Sequence, residues 1–159
     1  KVFKKKIKYI ETVSTISSKS AGPATRLNLD EYISTTQRAI KYFSGIKNSK
    51  AILNLNPAIP CINMQTTTYA QFKKKNINKI EIKKFKELLK LTIIRMTKYI
   101  KGHKMVIEPV VTDDVISVKT HTIGRGDYLP KYAGNLDIIN CAAIAAGEHY
   151  AKEKQKNNN

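Results

Sequence analysis

The side chains able to do chemistry are few and widely separated in the sequence. His103, His121 and His149 lie in three different segments, and no serine or cysteine has a base and an orienting acid within a few positions, as an activated nucleophile needs. Asp113 and Asp114 are adjacent. On a strand, adjacent side chains point to opposite faces, so the two carboxylates cannot flank one reacting bond and a turn is the better reading. Cys61 and Cys141 sit far apart in apolar surroundings with no second ligand at metal spacing, which points to two buried thiols in a reducing compartment and not to a disulfide or zinc site. There is no GxGxxG, phosphate loop or HExxH. On these residues alone the expectation is a protein that is not an enzyme, with no catalytic residue, no metal and no cofactor.

A fourth candidate is the stretch Gly124-Arg125-Gly126-Asp127. Its Arg-Gly-Asp tripeptide would suggest cell adhesion in a secreted module. Without a cysteine framework the better reading is a tight bend, with glycines permitting positive φ, Arg125 free to meet a phosphate and Asp127 closing the turn.

The strongest bulk signal is charge. The chain has 29 basic and 12 acidic residues, a net charge of +17 and an isoelectric point near 9.9. The whole excess lies before residue 105. Such a field is most simply neutralised by a polyanion, with nucleic acid the first choice and an anionic membrane surface the second. No apolar run reaches the ~20 residues of a membrane span, so no membrane insertion is expected.

The elements that must carry these residues follow from periodicity. KVFKKKIKYI spaces Phe3, Ile7 and Ile10 like one face of a basic helix or arm, and Thr12 to Thr25 reads as loop. A helix begins after Asn28 and stops at Gly45. Residues 47–56 read as a short helix or turn, and 57–79 as an irregular insertion. The best helix runs from Ile80 to Lys101, with Phe85, Leu88, Leu89, Thr92, Ile93, Met96 and Ile100 inward and lysines on its back. Met105 to Val111 and Val115 to Thr122 read as strands, the second with Ile116 and Val118 on one side and Ser117, Lys119 and His121 on the other. Beyond the glycine bend the chain returns as the second arm of a hairpin, and Cys141 to Lys156 is helical. The expected fold class is α+β: a compact helical body with a small antiparallel sheet and a long projecting β-hairpin.

In this order the elements resemble ribosomal large-subunit proteins of the L-twenty-two family, over roughly Tyr32 to Asn140. The segment STTQRAIKYFSGIKNSKAILNLNP is similar to that family's first helix, with Arg38, Lys41 and Gly45 in the matching positions. VVTDDVISVKTHTIGRGDYLPKYAGNLDII is similar to its hairpin through Asp113, Lys119, Gly124, Arg125, Lys131 and Leu136. The resemblance implies a structural constituent of the large ribosomal subunit in a mitochondrial ribosome, with the ribosome of another organelle or of the cytoplasm as the alternative. Its partners would be ribosomal RNA, neighbouring ribosomal proteins and the nascent polypeptide at the exit tunnel, with no DNA. It implies an extension over 1–27, an RNA-binding α+β domain over 28–140 with the insertion 57–79 and the hairpin 115–139, and a tail over 141–159. RNA would be held by Arg38, Lys41, Lys84, Lys86, Lys90, Lys119, Arg125 and Lys131, with Gly124, Arg125, Gly126 and Asp127 at the hairpin tip. The alternatives are another basic nucleic-acid-binding or assembly protein, or a basic membrane-surface protein.

Overall fold

Strand chemistry begins at the seventh residue. In the computed structural model, which describes residues 2–3, 5–75 and 77–157, β1 runs from Ile7 to Ser17 as an 11-residue strand. The expected basic arm over residues 1–10 and loop from Thr12 are therefore corrected. IKYIETVSTIS is rich in β-branched residues, and hydroxyl side chains suit a pleated, half-buried surface as well as a loop. Lys1, Lys4, Asn76, Asn158 and Asn159 lie outside the described residues.

After β1 the chain makes a single 3-10 turn (Ser18–Ser20), a short helix α1 (Pro23–Leu27) and the helix α2 (Leu29–Ser44). Helix α2 ends as the sequence predicts, with Gly45 in the left-handed region at φ 71. Asn28 stands at its N-cap position but caps nothing; its amide Nδ2 donates to the Ala24 carbonyl instead. Strand β2 (Ser49–Asn56) then pairs parallel with β1, a β-helix-β crossover. Residues 47–56 were expected to be a short helix or turn; with Ser49 and Ala51 buried and the intervening Lys50 exposed, the period is two.

The expected insertion 57–79 contains β3 (Met64–Phe72), which lies between β1 and β6 in the middle of the sheet. Its Thr66-Thr67-Thr68 run belongs to a strand because the hydroxyls have partners: Thr12 bonds Thr68 at 3.3 Å and Ser14 bonds Thr66 at 3.0 Å across the β1–β3 pair. Helix α3 (Lys79–Met96) follows, started by Asn78, whose side-chain oxygen accepts from the Ile80 amide at 2.8 Å. Then come β4 (His103–Met105), β5 (Val110–Thr112), β6 (Val115–Thr122) and α4 (Gly134–Asn157). Asp113 and Asp114 form the tight β5–β6 turn, Asp113 at φ 44, as the sequence suggests.

The strand order is β2-β1-β3-β6-β4, with β5 also pairing β6. The result is α+β, but the long projecting hairpin is not there. Of residues 115–139, the first eight form β6 inside the sheet, flanked by β3 and β4, and residues from Gly134 onward open α4. Helix was chosen over a returning strand because Leu136, Ile138 and Ile139 lead into an alanine-rich segment of high helix propensity, with Asp137 in the first turn.

Helices α2 and α3 cover one face of this sheet. All but one of the buried strand residues, among them Ile16, Ala51, Phe72, Ile116 and Thr122, fall on the face that meets them, and Ser17 is the exception. The core is centred on Phe3, Phe72 and Ile116, with Ile82, Phe85 and Val118 packed against it. The alternation read in β6 is therefore correct: Ile116 and Val118 point inward. Just past the end of β6, Gly102 lies so close to Ile123 that a Cβ there would sit 1.7 Å from the Ile123 carbonyl oxygen. Gly102→Ala is expected to cost about 3 kcal/mol, read as a fall in denaturant midpoint, because backbone and not a flexible side chain must give way.

Candidate functional site

Two surfaces stand out. The first is the sheet face opposite the helices. Its middle is made by Val13, Thr15, Gln65, Thr67 and Ser117, half-buried, with Tyr69 40 % exposed and Ile52 alongside on β2. Strand register puts these side chains on one surface, since residues two apart share a face. Lys50 and Lys104 lie on the edge strands β2 and β4, whereas Lys119 stands on the inner strand β6 directly across from Thr67, and Glu11 on the inner strand β1 between Lys50 and Tyr69. Glu11 is the acid of this face, and Tyr9 Oη donates to it at 2.8 Å, which raises the phenol's pKa.

The second surface is a crown of loops at one end of the sheet, where β1, β2 and β6 finish and β3 and β4 begin. Here polar groups are buried and bonded. Ser20 Oγ donates to the Ser17 carbonyl at 2.8 Å, and Arg26 reaches back to Ser18 and Ala21, pinning the loop after β1. Asn135, in the first turn of α4, donates through Nδ2 to the Ser20 carbonyl at 3.2 Å, while its buried Oδ1 has no partner among the described residues. Asp137 accepts from the Arg125 amide at 2.6 Å and so fixes the glycine-rich loop to α4. Gly134 permits this: a Cβ there would lie 2.3 Å from the Thr122 carbonyl oxygen.

His103 belongs to the crown, with Nδ1 and Thr122 Oγ1 2.8 Å apart. Burial lowers its pKa below the ordinary 6.5. His121, on the open face, is also lowered, first by burial and then by Lys119 and Lys104. Both are therefore held neutral in the folded state, while the unfolded chain takes up protons near the ordinary value. Stability is complete above that value and is lost as pH falls through it toward the depressed folded values. Chemical denaturation at stepwise lower pH should show this decline between about pH 7 and 5, and His103→Gln combined with His121→Gln should flatten it.

The expected RNA-binding residues do not form one surface. Arg38 and Lys41 lie on α2, Lys84, Lys86 and Lys90 on α3, and Lys119 on the open sheet face. Arg125 and Lys131 are in the crown loop, where Arg125 Nε pairs with Asp127 at 2.8 Å. Lys86 and Lys90 are turned to Glu108, at 3.7 and 2.9 Å, and these contacts lower the Glu108 pKa, led by the Lys90 hydrogen bond. Of the four hairpin-tip residues, Gly126 does take positive φ, at 84, whereas Gly124 is buried against Asp137 and Lys131. Sequence reasoning missed Ser17, Ser20, Thr122, His103 and Asn135 as a group. The available signal is the run SSKSAGP directly after β1, whose hydroxyl-rich residues read as loop unless the strand before them is recognised.

Cys61 and Cys141 are free and half-buried, and no group of three or more His, Cys, Asp or Glu is placed to hold a metal ion among the described residues. None of the helices is long and apolar enough to cross a membrane among the described residues.

The ribosomal identification fails on comparison with known proteins. Residues 2–130 match the family described as prokaryotic acetaldehyde dehydrogenase, dimerisation. An acetaldehyde dehydrogenase of Spirochaeta aurantia is 55 % identical over 146 residues, 92 % of this chain and 48 % of that protein. One from Pectobacterium atrosepticum is 50 % identical over 88 % of this chain and 46 % of its own length, and one from Geobacillus stearothermophilus 43 % identical over 92 % and 49 %. The chain thus spans about half the length of the curated relatives it matches. Ribosomal RNA, ribosomal proteins and a nascent chain are withdrawn as partners, the mitochondrial ribosome as a location, and the expectation of a non-enzyme with them. The alternatives of a nucleic-acid assembly factor or a membrane-surface protein fall for the same reason. The short matches that suggested a ribosomal protein were a basic helix and a Gly-Arg bend, both common, and a lysine excess that many folds tolerate on their surfaces. This chain belongs to the prokaryotic acetaldehyde dehydrogenase dimerisation family.

Proposed function

We propose that this chain is the self-association unit of an enzyme that oxidises acetaldehyde, and that two copies join through the open faces of their sheets. The observation that carries the reading is the sheet itself. Its buried residues lie almost entirely under α2 and α3, and the other face is left uncovered, with the half-buried, uncharged Val13, Thr15, Gln65, Thr67 and Ser117 set among Glu11, Lys50, Lys104 and Lys119. A half-buried sheet face on which uncharged side chains outnumber charged ones has the composition of an interface core. The family description names dimerisation, and the relatives are named acetaldehyde dehydrogenase.

The crown plays the second part. Buried backbone and side-chain dipoles from Ser17, Ser20 and Asn135 form a fixed polar surface there, with an unsatisfied acceptor on Asn135. Such groups orient a polar ligand without reorganising when it arrives. In this reading the crown borders the site where aldehyde chemistry occurs, and the paired sheets hold two such sites in fixed relation. Sedimentation of the full-length protein, with and without a charge placed at the centre of the open face, tests the association.

A further inference from the structure

The end of the sheet opposite the crown has a property that neither self-association nor aldehyde chemistry uses. A cavity of about 390 Å³ lies between the start of β1, the end of β3 and the start of α3. Lys5, Lys6, Lys73, Lys74 and Lys75 line it, and its apolar wall is Phe72 with Ile77. Glu81 is the acid of the lining, and Lys6 has claimed it, at 2.6 and 2.7 Å. The other four lysines have no carboxylate within ion-pair distance among the described residues.

These cations are not on loose tails. The Lys73 amide donates to the Lys6 carbonyl at 2.8 Å, and the Lys6 amide to the Phe3 carbonyl at 2.8 Å, so one backbone clamp presents both lysine runs. Phe3 and Phe72 anchor that clamp in the core, with ring centroids 5.0 Å apart. Lys5, Lys73, Lys74 and Lys75 are exposed, so solvent screens their mutual repulsion, but their summed field draws an anion to the cavity.

We propose that this cavity binds a small anion carrying two or more phosphoryl groups. Four lysines exceed what a single phosphate engages, and the volume is that of a small-molecule site. A long nucleic acid would call for a stripe of cations tracking a backbone, whereas these are grouped around one cavity. On α3, Lys86 and Lys90 share the single carboxylate of Glu108.

Calorimetric titration of the full-length protein with inorganic pyrophosphate, with inorganic phosphate and with a short single-stranded RNA, at low and at high salt, tests this. Saturable pyrophosphate binding is expected, tighter than phosphate. Lys73→Gln, Lys74→Gln and Lys75→Gln together should weaken it about tenfold or more through the loss of charge-assisted hydrogen bonds. Removing the same charge at Lys83, Lys84 and Lys98 should leave it unchanged. Absence of saturable pyrophosphate binding, equal weakening by both triple variants, or binding of RNA alone would overturn the proposal. Sedimentation of the same variants reports the association separately, since none of these lysines lies on the open sheet face.

Discussion

Val13→Lys is expected to turn the proposed dimer into a monomer. Val13 lies on the inner strand β1, between Ile52 of β2 and Thr67 of β3, in the middle of the open face. An ammonium group there would join Lys50 and Lys119 on a face destined for a water-excluded interface, and Glu11, which stays anionic while accepting from Tyr9, offsets only part of that charge. The cost of an unpaired charge in such a place is several kcal/mol, so the dimer should weaken by on the order of 100-fold or more. Sedimentation equilibrium of the full-length protein at matched concentration gives the readout. Lys50→Gln, at the margin, should change association by tenfold at most, because rim charges contribute little. If Val13→Lys left the association constant unaltered while the chain remained folded by circular dichroism, the open face would not be the joining surface.

Phe72→Ala is expected to lower stability by about 3–5 kcal/mol, the range for deleting a buried aromatic ring. Phe72 is 3 % exposed, stands edge-on to Phe3 at 5.0 Å, and belongs with Phe3 and Ile116 to the cluster that joins sheet to α3. Its loss leaves a cavity that neither strand can collapse into, since the Phe72 amide is held by the Asp114 carbonyl at 2.7 Å and its neighbours by the sheet ladder. Ile93→Ala on α3, where the side chain is only half-buried, should cost less. Association adds to apparent stability by mass action, so the comparison requires urea midpoints at one protein concentration.

Some of this molecule was legible in the order of its residues. The α2 helix and its glycine stop, most of α3, the inward alternation of β6 and the turn at Asp113 depend on neighbours three or four positions away, or two on a strand. A residue such as Gly45 carries its own conformational reason. The candidate site was almost wholly missed. Ser17, Thr122, His103 and Asn135 are ordinary residue types in four separate segments, and nothing in their spacing relates them. The open sheet face was equally hidden, because Thr, Ser and Gln at strand positions read as loop until the strand partners are known.

The linear chain determined its charge, its helices and the residues that end them, because those follow from local sterics and from composition. Only the tertiary structure decided that Thr66 to Thr68 form a central strand, that residues 115–139 split between a sheet and a helix, and which side of the sheet was left uncovered. Those outcomes rest on hydrogen bonds and burial between residues dozens of positions apart, such as Ser14 with Thr66 and Ser20 with Asn135. Pairing of that kind gains its free energy only after the chain has closed on itself, so it leaves no local trace to read.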